Sequence, residues 1–552
     1  MLITGTGIGG GVAIGPVARM ADPLPEPSAE PSRLDPATEA DRANRALAAV
    51  GAELLERGRS AGGAAQQILE AQSLMAQDPT LAGGIAERVG QGATAERAVF
   101  EGFAGYREVL LGMGGYLAER APDLDDVSQR VRAALAGVAA PGLPAPGHPF
   151  VLVAHDLSPA DAASLDLDLV LAVVTAEGGP TSHTAILARE KALVAIVGAH
   201  DASSLVDGAE VVVDAANGTV VADPSAEELA AARVRIEQRA ARADAPALPG
   251  ALADGTPIPL LANLGSAAAA PEAAALGAEG VGLFRTEFLF LDAAEAPSVD
   301  AQQEQYTRLL AAFPGRKVVV RVLDAGADKP LAFLDASEEP NPALGLRGLR
   351  SLRVSEQILR DQLTALARAD AATDARLEVM APMVATVEET RYFTGLAREL
   401  GIRVAGVMVE TPAAALIADR ILAVADFASI GTNDLTQYTM AADRLLGSVA
   451  GLQDPWHPAV LRLIGEVGTA GAVLGKPVGI CGEAAADPLL AAVLVGLGAT
   501  SLSMSPSALA DVRASLAGIT RDDAERMAKA ALAADGAAEA RAAAASERPA
   551  SG

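Results

Sequence analysis

The chain has 552 residues, of which 43 are basic and 70 are acidic, so its formal charge is −27 at neutral pH. This charge argues against binding to nucleic acid or an anionic membrane by bulk attraction, and it is compatible with a basic protein partner. The single cysteine excludes an intrachain disulfide, and the length predicts several domains because single cores stop growing beyond about 250 to 300 residues. Because we find neither about 20 consecutive apolar residues nor a signal-peptide pattern, we expect a reduced, cytoplasmic protein.

The first part of the chain changes from a strand pattern to a helix pattern. The first 20 residues read as short strands around glycine turns and are too few to bury a core alone. From Asp35-Pro36 to about Gly137 the apolar spacing is helical. Helices are predicted over residues 35–76, with a break at Gly62-Gly63, and over 79–90, 94–120 and 122–137. Four helices with short connections predict a helical bundle inserted into another domain.

A small α/β domain is predicted after the bundle. Strand patterns occur at residues 150–154, 167–174, 210–214 and 218–222, and we expect the N-terminal strands to join them. At Ser225-Ala-Glu-Glu228 a capping-box pattern opens a polar helix that runs to about Ala243. This helix has the composition of a connector between domains.

One of the five histidines, His183, lies just past an apolar strand, at the predicted start of a helix. The run from Gly178 to Arg189 reads Gly-Gly-Pro-Thr-Ser-His-Thr-Ala-Ile-Leu-Ala-Arg, in which glycines make the turn, and proline and threonine favour a helix start. Unpaired backbone N–H groups and the positive end of the helix dipole there would stabilise a phosphoryl group on the imidazole. The alternative is that the hydroxyl residues only cap the helix and His183 is a surface residue.

The C-terminal half of the chain repeats a strand–helix pattern. Apolar strand candidates lie at residues 259–265, 280–287, 317–326, 377–384, 405–412, 427–435, 477–485 and 501–506. Eight such alternations over roughly 280 residues predict a closed parallel (β/α)8 barrel. The last stretch, residues 536–552, is rich in alanine with Ser, Pro and Gly, and we predict that it is disordered.

Polar residues cluster at or just after the carboxyl ends of these predicted strands, where barrels of this type carry out their chemistry. They are Asn263, Arg285, Glu287, Arg321, Asp324, Glu410, Asn433, Asp434, Cys481, Glu483 and Ser505. A carboxylate at the end of a buried strand is costly unless it is paired or bound to a cation. Glu410 and Asp434, on adjacent strands, could therefore share an oxygen-ligated Mg²⁺ that keeps positions for substrate oxygens. The alternative is that both carboxylates pair with barrel arginines.

Arginines at the same rim suit a small polyanionic substrate. Arg285 and Arg321 follow apolar strands, and guanidinium groups bind carboxylate and phosphate oxygens in pairs. Arg444 is a weaker candidate because the aspartate before it could simply pair with it. Lys329 and Arg347 could also face this mouth.

Cys481 is the only thiol in the chain. A lone cysteine is usually an inert core residue, but the position of Cys481 at a strand end, next to Gly482 and Glu483, favours an exposed role. A thiol with a pKa near about 8.5 stays mostly protonated at neutral pH and could donate a proton to a carbanion-like carbon.

Four strings in a fixed order make the chain recognisable. They are the His183 string quoted above, Gly280-Val-Gly-Leu-Phe-Arg-Thr-Glu-Phe-Leu-Phe, Gly406-Val-Met-Val-Glu-Thr-Pro-Ala-Ala-Ala and Ser429-Ile-Gly-Thr-Asn-Asp-Leu-Thr-Gln-Tyr. Over nearly its whole length the chain resembles the phosphoenolpyruvate–protein phosphotransferases, the enzyme I family of the bacterial sugar phosphotransferase system.

The resemblance implies a role for each candidate residue. His183 would carry the phosphoryl group on Nε2, Cys481 would protonate the enolpyruvate methylene, and Glu410 and Asp434 would bind Mg²⁺. The residues implied to hold phosphoenolpyruvate are Arg285, Arg321, Asn433, Asp434 and Arg444. The phosphoryl group would then pass to the histidine of a small phosphocarrier protein, in the first step of sugar uptake, and the enzyme would be a homodimer through its barrels.

The resemblance and the sequence patterns together imply an α/β multidomain protein. Its parts would be a swivelling phosphohistidine domain (1–24 and 141–224), a helical carrier-binding subdomain (25–140), a linker helix (225–250), a phosphoenolpyruvate-binding TIM barrel (251–535) and the disordered tail (536–552). Because His183 and the barrel fall in different parts, we expect a mobile connection between them.

Two alternatives and three departures accompany the resemblance. A pyruvate phosphate dikinase or phosphoenolpyruvate synthase needs a large nucleotide-binding domain before the histidine, but this region is mostly helical without a glycine-rich phosphate loop. A non-catalytic regulatory homologue would be expected to have lost part of the rim set, which is intact. The departures are Val194 in place of a usual proline, Leu445-Leu446 in place of a small residue and an asparagine, and Gln72 in place of a common histidine.

Overall fold

The computed structural model contains two compact units, Met1–Glu237 and Gln238–Gly552. It describes the whole chain except residues 22–23, 62, 114–120, 139–141, 145, 158–160, 163–164, 180–181, 192, 245–246, 291–292, 294, 326–330, 332, 335–338, 340, 445 and 550–552. The end of the predicted helix 94–120 therefore lies outside the described residues, as do Lys329 and Leu445.

The N-terminal unit is built on a mixed sheet. Its described strands are β1 (Leu2–Thr4), β2 (Thr6–Ile8), β3 (Val12–Arg19), β4 (Phe150–Ala154), β5 (Val170–Thr175), β6 (Val194–Val197), β7 (Glu210–Asp214) and β8 (Thr219–Ala222). The sheet order is β1-β8-β7-β3-β4-β5-β6-β2, and the run from β3 to β6 is parallel. β3 pairs first with β7 and then with β4, so the N-terminal strands do join the sheet.

A helical bundle is inserted between β3 and β4. Its described helices are α1 (Pro36–Ala61), α2 (Gly63–Ala76), α3 (Pro79–Gly90), α4 (Ala95–Met113) and α5 (Ala121–Ala136). Apolar residues spaced by three or four positions face its core, as Leu81, Ile85 and Val89 do on α3. Asp78 caps α3 by accepting the backbone N–H groups of Thr80 and Leu81.

Two further helices belong to the chain around this sheet: α6 (His183–Glu190) follows β5, and α7 (Ala226–Asp244), the connecting helix, follows β8. The predicted capping box of α7 is present, because the Ser225 hydroxyl accepts the N–H of Glu228 at 3.2 Å and the Glu228 carboxylate accepts the N–H of Ser225 at 2.7 Å. Within the N-terminal unit, Arg235 of this helix forms a paired contact with Asp214. These contacts fix the first half of the helix to the sheet that carries α6.

The C-terminal unit contains a closed parallel barrel of eight described strands. They are β9 (Leu260–Leu264), β10 (Gly280–Arg285), β11 (Lys317–Arg321), β12 (Arg376–Val384), β13 (Ala405–Val409), β14 (Ala428–Ile430), β15 (Val478–Ile480) and β16 (Ser501–Met504). β16 closes the barrel on β9, with Leu502 opposite Leu260. The predicted barrel is confirmed, although most strands end earlier than predicted.

Helices surround the barrel. Those described are α8 (Ala270–Ala275), α9 (Val299–Ala311), α10 (Leu349–Val354), α11 (Glu356–Ala371), α12 (Val387–Glu399), α13 (Pro412–Leu416), α14 (Ala418–Leu422), α15 (Thr432–Met440), α16 (Pro458–Leu474), α17 (Pro488–Gly496), α18 (Leu509–Ala517), α19 (Arg521–Leu532) and α20 (Ala537–Glu547). Their buried faces pack on the outward side chains of the strands, while Leu283, Val319, Met380 and Met408 help to fill the barrel interior. Among the residues described, no helix is long and apolar enough to cross a membrane.

The prediction of a disordered tail over residues 536–552 is wrong for most of that stretch, because α20 packs against the barrel unit. Ala540 and Ala544, one helical turn apart, are fully buried. Arg541 lies 5.1 Å from the centroid of the Trp456 ring and 3.3 Å from Asp487. An alanine-rich composition suggested low complexity, but alanine is also the best helix former, and its small side chain allows close packing.

Candidate active site

His183 is the first residue of α6, directly after the turn that follows β5. Gly178 enters that turn with φ of +93°, a conformation that favours glycine, and the Ser182 N–H donates to the Gly179 carbonyl at 3.0 Å. The Ser182 hydroxyl accepts the N–H of Ala185 at 3.3 Å and so caps the helix. The predicted helix start at His183 is therefore present, in a turn whose backbone N–H groups lack intrahelical partners.

In the C-terminal unit, the candidate residues meet at the mouth formed by the carboxyl ends of the barrel strands. Arg285 and Arg321 end β10 and β11 and lie opposite each other in the parallel ladder. Glu410 follows β13 directly, and Asp434 lies in the first turn of α15, just after β14. Because β13 and β14 are neighbours and the strands are parallel, these side chains share one end of the barrel.

Arg321 lies at the centre of a buried ion-pair network. Its guanidinium donates to the Glu287 carboxylate and lies 3.1 Å from Asp324 and 3.7 Å from Glu410. Burial acts to lower the pKa of Arg321, but the charges of the nearby carboxylates together raise it by more than burial lowers it. The side chain therefore stays charged. Nε of Arg321 and Oε2 of Glu287 are buried without a hydrogen-bond partner among the described residues. Among the residues described, the network therefore leaves one buried donor and one buried acceptor unused.

Arg347, a minor candidate in the sequence, lies between two carboxylates of the mouth. Its Nη1 and Nη2 donate to the two oxygens of Asp434 at 2.7 and 3.2 Å. Its Nε and Nη2 donate to the two oxygens of Asp324 at 3.3 and 3.1 Å. Nη1 also donates to the Tyr438 hydroxyl at 3.1 Å. We did not predict Tyr438 from the sequence, although its spacing of four from Asp434 puts both on one face of α15.

The Glu410 carboxylate lies in a pocket that the backbone shapes. Its Oε2 accepts the N–H of Met383 at 2.9 Å, and Met383 has φ of +56°, a strained conformation for a side chain of this size. A Cβ on Gly431 would lie 2.7 Å from Glu410 Oε1, so only a glycine there lets the carboxylate pack this closely against the backbone. Burial, together with the nearby charges of Asp434 and Asp324, raises the pKa of Glu410 to about 8. The nearby guanidinium groups of Arg321 and Arg347 lower this pKa only in part.

The segment after β14 carries the remaining substrate-binding candidates. Asn433 Oδ1 accepts the N–H of Glu483 at 3.1 Å. Arg444 Nη1 lies 3.6 Å from Asp434 Oδ2, and the Arg444 backbone N–H donates to Gln437 at 2.9 Å. Asp434 thus has arginines on two sides, the nearer being Arg347.

Cys481 follows β15 at the top of the barrel interior. The prediction of an exposed thiol is wrong, because only 2% of its surface is accessible. Sγ lies 3.5 Å from the carbonyl oxygen of Ile430, and the side chain of Asn263 donates to the Cys481 carbonyl at 3.0 Å. Burial raises the pKa of Cys481 to about 11, in spite of a hydrogen bond with Ser429 that lowers it. At neutral pH the thiol is therefore protonated and able to donate.

The mouth fits a magnesium ion that is bound together with an anionic ligand. Among the described residues, no group of three or more His, Cys, Asp or Glu side chains is arranged to hold a metal ion. Glu410 and Asp434 offer two carboxylates, and Mg²⁺ is commonly bound by one or two carboxylates with waters and substrate phosphate oxygens. The raised pKa of Glu410 agrees with a cation at this position, because a bound cation favours the ionised carboxylate.

Of the described departures from the family pattern, Gln72 and Val194 lie in the N-terminal unit and Leu446 lies in the C-terminal unit. Gln72 is fully buried in the bundle, where its Nε2 donates to Asp123 at 3.1 Å. It therefore packs in the core and does not contribute to the surface of the bundle. Val194 begins β6 and pairs with Ala172 as an ordinary sheet residue. Leu446 is 52% exposed.

Models of known families match three stretches of the chain. Residues 4–120 match the N-terminal domain of PEP-utilising enzymes, residues 146–218 match their mobile domain, and residues 239–521 match their PEP-binding domain. The last of these alone spans half of the chain.

Curated relatives match over almost the full length. A phosphoenolpyruvate-protein phosphotransferase of Streptomyces coelicolor is 52% identical over 98% of this chain and 98% of its own. Proteins of the same name from Haloferax volcanii and Bacillus subtilis are 44% and 36% identical, over 85% and 95% of this chain and 84% and 95% of theirs. The chain therefore belongs to the family of phosphoenolpyruvate-protein phosphotransferases.

Proposed function

We propose that this enzyme transfers the phosphoryl group of phosphoenolpyruvate to its own His183, releases pyruvate, and passes the group to the histidine of a small phosphocarrier protein. The observation that carries the proposal is the barrel mouth, where a network of buried arginines and carboxylates lies near a protonated thiol. Phosphoryl transfer depends on positioning and on neutralising charge, which this set of side chains suits.

In this proposal the arginines of the mouth bind the two anionic groups of phosphoenolpyruvate. Arg285, Arg321 and Arg444, with Asn433, hold its phosphate and carboxylate oxygens. The guanidinium of Arg321 is buried among carboxylates, so it stays charged and can bind a ligand oxygen by exchanging one of these contacts. Lys329, outside the described residues, is not needed for this assignment.

Glu410 and Asp434 are the residues that would hold Mg²⁺. When bound, the ion would polarise phosphate oxygens and neutralise charge that develops during transfer. Asp434 also lies 3.6 Å from Arg444, so its carboxylate connects the metal position with an arginine that binds substrate.

Two groups of the chain take part in the bond changes. A neutral imidazole nitrogen of His183, which the family resemblance identifies as Nε2, attacks phosphorus as the bond to the enolate oxygen breaks. The enolate then takes the thiol proton of Cys481 on its methylene carbon and becomes pyruvate, and the thiolate regains a proton from solvent. A thiol with a pKa of about 11 holds its proton at neutral pH until a basic carbon is formed beside it.

The finer features of this function are also proposals. The helical bundle binds the phosphocarrier, the connecting helix α7 belongs to a hinge that brings His183 to the barrel mouth, and two barrels associate into a dimer in the cytoplasm. An engineered crosslink that prevents relative movement of the two units should leave phosphoenolpyruvate binding intact and abolish transfer, and retained transfer would contradict the hinge. Light scattering of the whole chain measures its oligomeric state.

The direct test is incubation of the whole protein with Mg²⁺ and ³²P-labelled phosphoenolpyruvate. We expect acid-labile, alkali-stable label in the wild type, none in His183→Ala, and passage of the label to added phosphocarrier. Label that appears only with ATP would instead support a dikinase, and no label under any condition would support a non-catalytic homologue.

A further inference from the structure

The contact between Arg347 and Asp434 occupies a carboxylate that the metal would need. The guanidinium donates to both Asp434 oxygens, at 2.7 and 3.2 Å, and Arg347 is only 4% exposed. A bidentate arginine–carboxylate pair is among the stronger side-chain contacts, and burial reduces its screening by water. In this arrangement each oxygen of Asp434 already accepts a hydrogen bond from a buried guanidinium.

A metal ion and this guanidinium oppose each other at the same carboxylate. Mg²⁺ binds its oxygen ligands at about 2.0 to 2.1 Å, so it would lie within a few ångströms of a buried positive charge. Like charges at that separation repel strongly where the dielectric is low. Metal binding at Asp434 therefore requires Arg347 to give up at least part of its contact.

Arg347 has a second partner that can hold it when it leaves Asp434. Two of its nitrogens donate to Asp324 at 3.1 and 3.3 Å, and neither of the proposed metal ligands takes part in that contact. Gly348, directly after Arg347, has φ of +59°, and the Gly348 N–H donates to the Ala325 carbonyl at 3.0 Å. The backbone around Arg347 can therefore stay in place while its guanidinium turns toward an anion in the mouth.

We propose that Arg347 is an internal counter-ion that competes with the metal for Asp434, and that an anionic substrate relieves the competition by drawing the guanidinium onto itself. Metal and substrate then bind cooperatively, because each removes a charge conflict that opposes the other. The inference rests on the proposed function, in that it takes Asp434 as a ligand of the metal and phosphoenolpyruvate as the anion.

The test measures Mn²⁺ binding directly, as loss of the electron paramagnetic resonance signal of free Mn²⁺, without any turnover. All forms carry His183→Ala so that phosphoenolpyruvate can be added without transfer. The variants are Arg347→Met, which removes the charge, and Arg347→Lys, which keeps it. Arg350→Met is the matched control, since Arg350 is an arginine of the same segment whose ion pair, at 3.7 Å, is with Glu389.

Without phosphoenolpyruvate, we expect Arg347→Met to bind Mn²⁺ at least about tenfold more tightly than the parent, while Arg347→Lys and Arg350→Met stay within about threefold of it. With phosphoenolpyruvate, Mn²⁺ binding to the parent should tighten by at least about tenfold, and this gain should largely disappear in Arg347→Met. Equal Mn²⁺ affinity of the parent and Arg347→Met in the absence of phosphoenolpyruvate would overturn the inference.

Loss of Arg347 removes a counter-charge from two buried carboxylates, Asp324 and Asp434, so a second comparison covers the case in which Arg347→Met does not fold. In that event the double variant Asp324→Asn, Arg347→Met is compared with Asp324→Asn alone, so that one negative charge fewer is left without a partner. The double variant should again bind Mn²⁺ more tightly than the single variant. Failure of the proposed function gives a different result, namely no Mn²⁺ binding by the parent even with phosphoenolpyruvate and no label on the wild type.

Discussion

The thiol of Cys481 should react with iodoacetamide much more slowly than an exposed cysteine, and its rate should keep rising at high pH. The thiolate is the reactive form, so the rate follows the fraction of thiol that has lost its proton. Burial raises the pKa of Cys481 from 9.0 to about 11. Because the folded state holds this proton to higher pH than the unfolded state, folding stability should also fall as pH rises between these values.

The expected size of the effect follows from the two pKa values. At pH 8 a thiol with a pKa of 9.0 is about 9% ionised, and one with a pKa of about 11 is about 0.1% ionised. The shift alone should therefore slow alkylation by about 100-fold. Burial adds a further delay, but that delay acts equally at every pH, whereas the pKa sets the pH at which the rate levels off.

The assay is intact-mass spectrometry over a pH series, which is site-specific because the chain has one cysteine. The rate should rise about tenfold per pH unit up to about pH 10, and the same protein in denaturant should level off about two units earlier. A native profile that levels off near pH 9 would refute a raised pKa. It would also remove the physical reason for assigning Cys481 as the proton donor.

Three further predictions concern the mouth and α20. Glu410→Gln should weaken Mn²⁺ binding in the presence of phosphoenolpyruvate by at least about 100-fold without lowering the melting temperature, because a carboxyl group with a pKa of about 8 is mostly neutral at pH 7 when no cation is bound; a lower melting temperature in calorimetry would contradict this. Gly431→Ala should also weaken Mn²⁺, since its Cβ would lie 2.7 Å from Glu410 Oε1, and unchanged binding in the same assay would argue against a metal there. Truncation after Ala534 should shift the emission of Trp456, the only tryptophan, to longer wavelength, because α20 covers it, and an unchanged spectrum would contradict that contact.

The sequence was sufficient to predict the barrel because each strand is a short apolar run between helical stretches. It was less informative about where the strands end. The strand predicted over 427–435 stops at Ile430, since Gly431 turns the chain directly into α15. The apolar Leu435 belongs to that helix and extended the predicted strand too far. The end of a strand is therefore difficult to predict from the sequence when a new helix follows it without an intervening polar loop.

The site could be predicted from the sequence wherever a charged residue stands directly at the end of an apolar strand pattern. Glu410, Asp434, Arg285 and Arg321 each stand at the end of an apolar run, and parallel strands bring such positions to one end. Arg347 has no such marker, because it lies in a segment before α10 and reaches the mouth only through tertiary structure.

Met383 shows a second limit of sequence reasoning. Its contribution to the mouth is a backbone N–H aimed at Glu410 from a left-handed conformation. No residue pattern predicts that φ value, because a methionine ordinarily avoids it. Strain of this kind is maintained by the surrounding fold and is found at functional sites.

The charge arrangement of the mouth is difficult to explain as a source of stability. Buried ion pairs contribute little to folding, because the loss of hydration offsets their attraction, and well-packed apolar residues are often at least as stabilising. The mouth nevertheless holds Glu287, Arg321, Asp324 and Arg347 in close ion pairs, while burial and the charges of Asp434 and Asp324 raise the pKa of Glu410 in spite of these arginines. A bound cation would favour the ionised form of Glu410. An anionic substrate would then bind the arginines that the cation displaces from the carboxylates. Metal and phosphoenolpyruvate together should therefore raise the melting temperature by more than the sum of their separate effects, because ligands that bind cooperatively to the folded state stabilise it cooperatively.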